Sequence, residues 1–559
     1  MAGTAMSLVV AGPAGAAGRN KPDIVVIVFD DLGFSDFGCF GSEIETPAID
    51  ALAKAGLRYT AFDTKAICSP SRAALLTGRN GHTVNMADLA AGEGPGAEAR
   101  SATTPGVMRR DAQMLPDALR RAGYATFAMG KWHLAPVWED GLPGNNAHWP
   151  LQVGFDRFYG FKMGWDDQYR PRLIRQNEAI GQPDAPGYHF SKAIVDESIA
   201  AIDGTPKDKP YFLYLALGAT HAPLQVPKPY VDRYRGRFDA GWDSLREARF
   251  KRMKAMGILP EDCALPAANS GDRRWADLSD DERKVYARYM ETYAGFLTHA
   301  DEQVGRLVEH LRHTRRLDNT LILVISDNGG SAEAGQPGSF DQLYPPKPAD
   351  VAKLAADLDA LQTHHIGYQR PWAMLSDTPY RRYKGWPHLG GVRTPLIASW
   401  PAGIRDAGAV RRQAVDIIDL APTLVEAAGA RFAGTLDGQA QLPVAGRSIA
   451  ATFKSSSAPD PRPVQYFELR GNRAIRLGRW RAVAVHRLGT RFEDDRWALY
   501  DLKADPAEAR DLAASMPRKL EELKAAWWGE AKRYGALPLG EGPEYVRKLD
   551  RYRDAFLPD

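Results

Sequence analysis

The residues best suited to chemistry lie in one short run, CSPSRAALLTGR, which begins at Cys68. Ser69 is a residue type that caps helix N-termini, Pro70 suits the first helical position, and Gly78 is placed to end the helix. The pattern therefore predicts a helix with Cys68 just outside its start. Unpaired backbone N–H groups and the positive end of the helix dipole meet there, and Arg72 adds a forked cationic donor. This corner is suited to attract an oxyanion such as phosphate or sulfate.

Two pairs of residues with oxygen-bearing side chains each follow an apolar run. Asp30-Asp31 closes the first run, and Asp327-Asn328 closes another. No histidine accompanies them within either motif, and carboxylate and amide oxygens are hard ligands, so the pattern favours calcium or magnesium over zinc. A helix cap or an ordinary turn would explain either pair alone. Together they predict a metal site, because crowded carboxylates need a cation nearby.

Four basic side chains also follow apolar runs or approach one. Lys131 and His133 continue a strand-like run, so alternation along a strand predicts that both project to the same side. His221 follows another such run, which places it in a loop at the same edge. Lys384 lies in a Gly-rich approach to an apolar strand. Each of them alone is typical of an exposed residue, and only their shared position suggests a site.

The elements that must position these residues alternate between strands and helices. Residues 24–29 and 320–325 are apolar on both faces, which is typical of central parallel strands. Residues 124–129 and 211–217 are also strand-like, and the clearest helical pattern covers residues 284–311. The order predicts an α/β fold. In such sheets ligands bind beyond the carboxyl ends of the strands, where the polar residues above fall.

After about residue 455 the pattern changes to short strands joined by tight turns, with helices behind them. This predicts a smaller C-terminal α+β domain with a short antiparallel sheet. We divide the chain into a flexible N-terminus or signal-peptide remnant (1–20), a main domain (21–455) and the C-terminal domain (456–559). The expected C-terminal strands are 464–469, 473–477, 480–486 and 497–502, and the expected helices are marked by residues 506–508 and 519–534.

Composition and charge argue against several classes of protein. With 72 basic and 69 acidic residues the formal charge is only +3, so we predict no nucleic-acid partner. No apolar stretch reaches the length that spans a bilayer, so we predict no membrane span. Three cysteines rule out a disulfide scaffold. The first twenty residues combine an apolar patch with small residues but lack a basic leader, which leaves a signal-peptide remnant and a flexible start both open.

The Cys-x-Pro-x-Arg pattern at Cys68, with its Leu-Thr-Gly close, resembles the signature of the type I sulfatases. These are the formylglycine-dependent enzymes of the alkaline-phosphatase-like superfamily, and the chain more closely resembles their bacterial arylsulfatases. The resemblance extends from about Lys21 to the C-terminus. It implies a large mixed, mostly parallel sheet flanked by helices, with residues 21–455 as the catalytic domain.

The resemblance implies hydrolysis of aryl or alkyl sulfate monoesters to an alcohol and inorganic sulfate. A formylglycine-generating enzyme would oxidise Cys68 to Cα-formylglycine, whose hydrate attacks sulfur to give a covalent sulfo-enzyme intermediate. One Ca2+ per chain, rather than Mg2+, is implied, and periplasmic or secreted localisation is favoured over a cytoplasmic one. Position by position, the metal ligands fall on Asp30, Asp31, Cys68, Asp327 and Asn328, and the catalytic groups on Cys68, Arg72, Lys131, His133, His221, Asp327 and Lys384.

The same resemblance implies a role for each catalytic group. It also leaves two alternative functions open. Asp327 would help to deprotonate the attacking hydroxyl, and His133 would be the base of the second step. His221 and Lys384 would assist the departing alkoxide, while Lys131 and Arg72 would hold the sulfuryl oxygens. A phosphonate monoester or phosphodiester hydrolase of the same superfamily, and a non-catalytic calcium-binding module, remain alternatives. The natural ester, whether aryl, alkyl, choline or sugar sulfate, and the oligomeric state stay open.

Overall fold

A ten-stranded sheet forms the centre of the computed structural model, which describes residues 21–90, 105–269, 271–343 and 346–542. The strand Asp23–Phe29 lies in the middle and pairs in parallel with Tyr211–Ala216 on one side and Thr320–Ser326 on the other. From edge to edge the strands are Val410–Arg411, Leu57–Tyr59, Leu396–Ser399, Thr320–Ser326, Asp23–Phe29, Tyr211–Ala216, Ala125–Lys131, Arg157–Phe161, Leu173–Arg175 and Glu178–Gly181.

Both faces of this sheet are buried. Along Asp23–Phe29, Val25 and Ile27 belong to one hydrophobic core and Val26 and Val28 to another, as alternation along a strand requires. Parallel strands covered on both faces need such continuous apolar runs. The predicted α/β fold, with a mixed and mostly parallel sheet flanked by helices, is therefore confirmed.

Helices cover the two faces of the sheet. The longest, Asp280–His313, begins four residues before the predicted start because Ser279 and Glu282 form a capping box. It packs against Pro47–Ala55, Phe190–Asp203 and Lys228–Asp232. The helices of the described residues are Pro47–Ala55, Cys68–Thr77, Leu115–Arg121, Phe190–Asp203, Lys228–Asp232, Gly241–Ala255, Asp280–His313, Val351–Ala356, Arg370–Ser376, Leu389–Val392, Leu420–Ala427 and Pro517–Tyr534.

The helix that carries Cys68 differs from the prediction at its start. It begins at Cys68, with Ile67 in the capping position, so Ser69 lies inside the first turn. The Ser69 hydroxyl donates to the His133 carbonyl instead of capping the helix, since a tertiary partner is within reach. The end agrees with the prediction, because Gly78 adopts a φ of 67° and its N–H donates to the Ala74 carbonyl.

The C-terminal sheet is a four-stranded antiparallel meander, as predicted. Its outer face packs on the helix Pro517–Tyr534 through Leu523 and Trp527, while its inner face, with Phe467 and Tyr500, joins the main core. No helix forms at residues 506–508; they lie in a turn where Glu508 is buried against Arg481, so that expectation is wrong. The strands are Val464–Leu469, Asn472–Leu477, Trp480–Ala484 and Trp497–Asp501.

The structure does not test two of the predictions. The boundary near residue 455 remains a prediction, and the segment 1–20 lies outside the described residues. Over the described ranges, each helix is either too short or too polar to cross a bilayer.

Candidate active site

Three strand ends meet at one edge of the central sheet. Asp30 and Asp31 follow the strand Asp23–Phe29, and Asp327 and Asn328 follow its parallel neighbour, whose register pairs Phe29 with Ser326. Lys131 is the last residue of the strand Ala125–Lys131. The carboxyl ends of parallel strands lie side by side, so these polar groups come together.

We use the name inner cluster for Asp30, Cys68, Arg72, Lys131 and Asp327. A carboxylate oxygen of Asp30, the Cys68 sulfur and a carboxylate oxygen of Asp327 all lie within 4.8 Å of one another. All three side chains are buried. The helix Cys68–Thr77 thus directs its N-terminal end, where backbone N–H groups are unpaired, at the ends of two strands.

Arg72 holds the inner cluster together. Its Nε donates to Asp327 Oδ2 at 2.9 Å, and Nη2 lies 2.7 Å from the same oxygen and 3.7 Å from Asp30 Oδ1. Its Nη1 donates to the Lys131 carbonyl and to the Tyr214 hydroxyl, both at 3.2 Å. A guanidinium fixed on two sides is a pre-organised cation, which costs little to orient when an anion binds.

Lys131 neutralises the other carboxylate. Its Nζ donates to both oxygens of Asp30, at 2.9 and 2.8 Å, and both side chains are buried. Burial is the largest single effect and works to lower the pKa of Lys131, but the neighbouring acidic groups, Asp30 foremost, together outweigh it and the net shift is upward. The ammonium therefore stays charged, as a group that holds anionic oxygens must.

His133 does not follow the strand alternation that was predicted for it. The strand ends at Lys131, and His133 adopts a left-handed conformation with φ 58°, so the expectation that both project to one side from a common strand is wrong. Its N–H donates to the Lys162 carbonyl and its own carbonyl accepts from Ser69. The backbone of His133, whose side chain is buried, is thereby tied to the residue next to Cys68.

The outer cluster consists of Asp31, His221, Glu333 and Lys384. Lys384 Nζ donates to Asp31 Oδ2 and to Glu333 Oε2, both at 3.0 Å, and lies 3.3 Å from His221 Nε2. The Lys384 backbone N–H donates to the Gly330 carbonyl, which follows the Asp327 strand end. This bond brings the Gly-rich segment of Lys384 to the same edge as the inner cluster.

Hydrogen bonding fixes the tautomer of His221. Its Nδ1 faces the Ala222 carbonyl at 2.5 Å, and because a carbonyl only accepts, Nδ1 carries the hydrogen. Burial lowers the pKa of His221 to about 4, with Asp31 partly opposing the fall. The neutral ring therefore directs the lone pair of Nε2 towards the Lys384 ammonium.

Burial and neighbouring charges shift the pKa values of the inner cluster in different directions. Burial raises the pKa of Asp30 to about 7, and Asp327 adds to this rise against the effect of Lys131. Burial acts on Asp327 in the same direction, but Arg72 and Lys131 turn its net shift downward. Burial also raises the pKa of the Cys68 thiol to about 12. Strongly shifted pKa values in one corner are typical of a functional site.

The oxygen groups of this edge fit a hard divalent cation. The carboxylates of Asp30, Asp31 and Asp327 supply anionic oxygens, and Asn328 Nδ2 donates to Asp31 Oδ1 at 2.7 Å. The other amide atom, Asn328 Oδ1, is buried and has no hydrogen-bond partner within the described part of the chain. A buried acceptor left unpaired is costly, and a cation would satisfy it.

Two residues of the site gave no signal in the sequence. Tyr214 sits inside an apolar strand, where its hydroxyl is indistinguishable from that of a core tyrosine. Glu333 lies in a loop without periodic pattern, six residues after Asp327. Sequence reasoning proposed the other ten positions, and the contacts above bring these to one edge of the sheet.

Comparison with known proteins shows which families the chain resembles. The sulfatase family model matches residues 22–430, and the model of the C-terminal region of N-sulphoglucosamine sulphohydrolase matches residues 384–527. The chain is 32% identical to an uncharacterized sulfatase of Schizosaccharomyces pombe, covering 91% of this chain and 93% of that protein. It is 31% identical to the arylsulfatase of Klebsiella aerogenes, covering 80% of this chain and 95% of that enzyme.

Among solved structures, Ps i-CgsB in complex with k-i-k-neocarrahexaose superposes with a TM-score of 0.65 at 23% identity, covering 96% of this chain and all of that one. This likeness concerns the fold. Together with the family match, the geometry defines a member of the alkaline-phosphatase-like superfamily, and the chain belongs to the sulfatase family. It is a sulfuric ester hydrolase, from a family that typically uses a metal ion and formylglycine.

Proposed function

We propose that the protein hydrolyses aryl or alkyl sulfate monoesters with a formylglycine made from Cys68, beside a Ca2+ ion. The observation that carries this proposal is the position of Cys68. It starts a buried helix, and its sulfur lies within 4.8 Å of carboxylate oxygens of Asp30 and Asp327. Arg72 and Lys131, which bind those carboxylates, are cations that would hold a sulfuryl group bound at position 68.

The thiol itself is a poor nucleophile in this setting. With its pKa raised to about 12 by burial, Cys68 is protonated at neutral pH, and only the thiolate is strongly nucleophilic. This supports oxidation of Cys68 by a formylglycine-generating enzyme, which we propose as a maturation partner. The hydrated aldehyde would supply the hydroxyl that attacks sulfur and a second hydroxyl whose deprotonation releases sulfate.

In this proposal each of the charged side chains and His133 has its own role in the reaction. Asp327, ionised and held by Arg72, is placed to take a proton from a hydroxyl at position 68. Lys131 and Arg72 would hold the sulfuryl oxygens as their charge develops. His133, tied by its backbone to Ser69, is our candidate for the base of the second step.

His221 and Lys384 face the departing alcohol in this proposal. The Lys384 ammonium lies 3.3 Å from His221 Nε2 and is the proton donor of the pair, since the neutral ring offers only a lone pair on that side. Asp30, Asp31, Asp327 and Asn328 would hold the metal, which would lower the pKa of a hydroxyl at position 68 and neutralise the carboxylates.

The test compares sulfate esters with protein co-expressed with a formylglycine-generating enzyme. We expect turnover of nitrophenyl and alkyl sulfates by the wild type and loss of turnover in Cys68→Ala. Cys68→Ser, which replaces the thiol with a single hydroxyl of similar size, is the matched control. Equal turnover by the wild type and Cys68→Ala would refute the proposal, and preferential turnover of phosphonate monoesters would favour the rival hydrolase.

We also propose export to the periplasm or the medium. Cell fractionation with an antibody against the protein, with a known cytoplasmic enzyme as the marker, tests this. Recovery with the cytoplasmic marker would contradict it.

A further inference from the structure

Glu333 belongs to the outer cluster, but the proposed reaction assigns no role to it. Its Oε2 lies 3.0 Å from Lys384 Nζ and 3.9 Å from His221 Nε2. Its carboxylate oxygen, an Asp31 oxygen and a His221 nitrogen all lie within 4.8 Å of one another. Its side chain is 15% exposed, against 1% for Asp31, so it lies on the solvent side of the outer cluster.

We propose that Glu333 sets the net charge of the active site, so that the site accepts a singly charged ester and rejects a doubly charged one. This inference rests on the proposed function and adds a specificity-determining residue to it. The chemical class it selects is the monoanionic ester, such as a sulfate monoester, over the dianionic phosphate monoester of the same alcohol.

The charges of the described site residues carry the argument. The carboxylates of Asp30, Asp31 and Asp327 are balanced by three cations, namely Arg72, Lys131 and Lys384. A divalent ion held by those carboxylates would leave a surplus of two positive charges, which matches a dianion. The carboxylate of Glu333 reduces that surplus to one, which matches a monoanion.

His221 does not change this balance. His221 donates from Nδ1 to the Ala222 carbonyl, and its Nε2 faces an ammonium, so a second proton there would meet a like charge. Glu333 is also the carboxylate of the outer cluster that is not among the predicted metal ligands, so its charge remains available to oppose a substrate anion.

The position of Glu333 explains why the effect falls on the ester and not on the fold. It lines a small cavity with Thr220, Ser331 and Tyr368, beside the loop that carries His221. A carboxylate that contacts Lys384, a cation of the site, acts on a bound anion through space, because charges interact more strongly in a partly buried site than in water. We therefore expect one added charge on the substrate to cost about tenfold or more in kcat/KM.

The experiment compares Glu333→Gln, which keeps the shape and removes the charge, with Glu333→Asp, which keeps the charge. Matured protein is assayed with 4-nitrophenyl sulfate and 4-nitrophenyl phosphate at a pH where the phosphate is doubly charged. We expect Glu333→Gln to shift the phosphate-to-sulfate ratio of kcat/KM by about tenfold or more towards phosphate. Glu333→Asp should leave the ratio near that of the wild type. Glu178→Gln, on the exposed strand Glu178–Gly181, is the matched control and should not change it.

Binding gives a readout that does not depend on turnover. Benzenesulfonate and phenylphosphonate have similar shapes and differ in charge at alkaline pH, and calorimetry yields the dissociation constant of each. Glu333→Gln should improve phosphonate binding relative to sulfonate binding by about the same factor. If Glu333→Gln folds poorly by circular dichroism, Glu333→Ala gives the same comparison.

The outcomes separate this inference from the proposed function. A wild type that turns over 4-nitrophenyl sulfate, together with Glu333→Gln that loses both substrates equally and keeps the binding ratio, would overturn the charge role and leave the proposed function standing. A matured wild type that does not turn over sulfate esters would instead refute the proposed function, whatever Glu333 does.

Discussion

The inner and outer clusters differ in what holds them in place. The inner cluster rests on strand ends and a helix, and Asp30 and Arg72 are fully buried. The outer cluster draws His221, Glu333 and Lys384 from loops, and Glu333 reaches solvent. Loops on a rigid scaffold commonly carry specificity. The difference indicates that the groups that would bind sulfate are fixed by the sheet, while most of those that would face the alcohol are held by loops.

Removing Arg72 should break the inner cluster most severely. Arg72→Ala leaves Asp327 and Asp30 buried without their forked partner, so we expect the free energy of unfolding to fall by about 3–5 kcal/mol. The loss of a fixed cation should also lower kcat/KM for 4-nitrophenyl sulfate by about a thousandfold. Urea denaturation and steady-state kinetics measure the two effects.

The control for that variant is an arginine whose ion pair is exposed. Arg175 pairs with Glu197 at the surface, so Arg175→Ala should cost at most about 1 kcal/mol and leave kcat/KM unchanged. Similar losses for both variants would show that the burial of the inner cluster has no special energetic role.

Metal removal tests whether both clusters depend on one ion. Asp30, Asp31 and Asp327 repel one another without it, so we expect Ca2+ to raise the free energy of unfolding of chelated protein, by about 2.7 kcal/mol at a hundred times its dissociation constant. Thermal unfolding at increasing Ca2+ measures this, with Asn328→Ala expected to weaken the dependence. A melting temperature that is insensitive to Ca2+ and Mg2+ would contradict the metal site.

Removing His221 should affect alkyl and aryl substrates differently, which distinguishes the role of the outer cluster from that of the inner cluster. An aryl leaving group departs with little help, whereas an alkyl alkoxide needs assistance. We expect His221→Ala to lower kcat on an alkyl sulfate by about a hundredfold and on nitrophenyl sulfate by much less. The measurement is kcat for both esters with one enzyme preparation, and equal losses would remove the outer cluster from leaving-group departure.

The smallest effect is expected at Tyr214, which contacts the inner cluster without belonging to it. Tyr214→Phe removes the hydroxyl that accepts from Arg72 Nη1, so it should cost about 1 kcal/mol in stability and about tenfold or less in kcat/KM. Tyr124→Phe, which removes another buried hydroxyl bond far from the site, is the control for stability alone. A larger activity loss in Tyr214→Phe than in Arg72→Ala would reverse our order of importance.

Residues at the ends of buried strands were predictable from the sequence, because an abrupt change from apolar to acidic residues marks where a parallel strand stops. Asp30 and Asp327 carry that signal. The helix of Cys68 was predictable to within two residues, although Ser69 found a partner in His133 and left the cap. Local propensity does not reveal such long-range partners.

The outer cluster shows the limit of sequence reasoning. The strand pattern placed His221 in a loop at this edge and Lys384 near an apolar strand, but their roles came from a resemblance, since a basic residue in a loop has no periodicity. The sequence did not mark Glu333 as a site residue, because its place in the site depends on its contact with Lys384, which is fifty-one residues away along the chain. The left-handed turn at His133 was also missed, because nothing local shows that the strand ends two residues before it.

The most direct test of the central claim relates the chemical state of residue 68 to activity. Preparations matured to different extents are digested, and mass spectrometry gives the fraction of the peptide that carries an aldehyde in place of the Cys68 thiol. Our account predicts that specific activity on 4-nitrophenyl sulfate rises in proportion to this fraction and vanishes when it is zero. Full activity in protein whose Cys68 is entirely unmodified would contradict it.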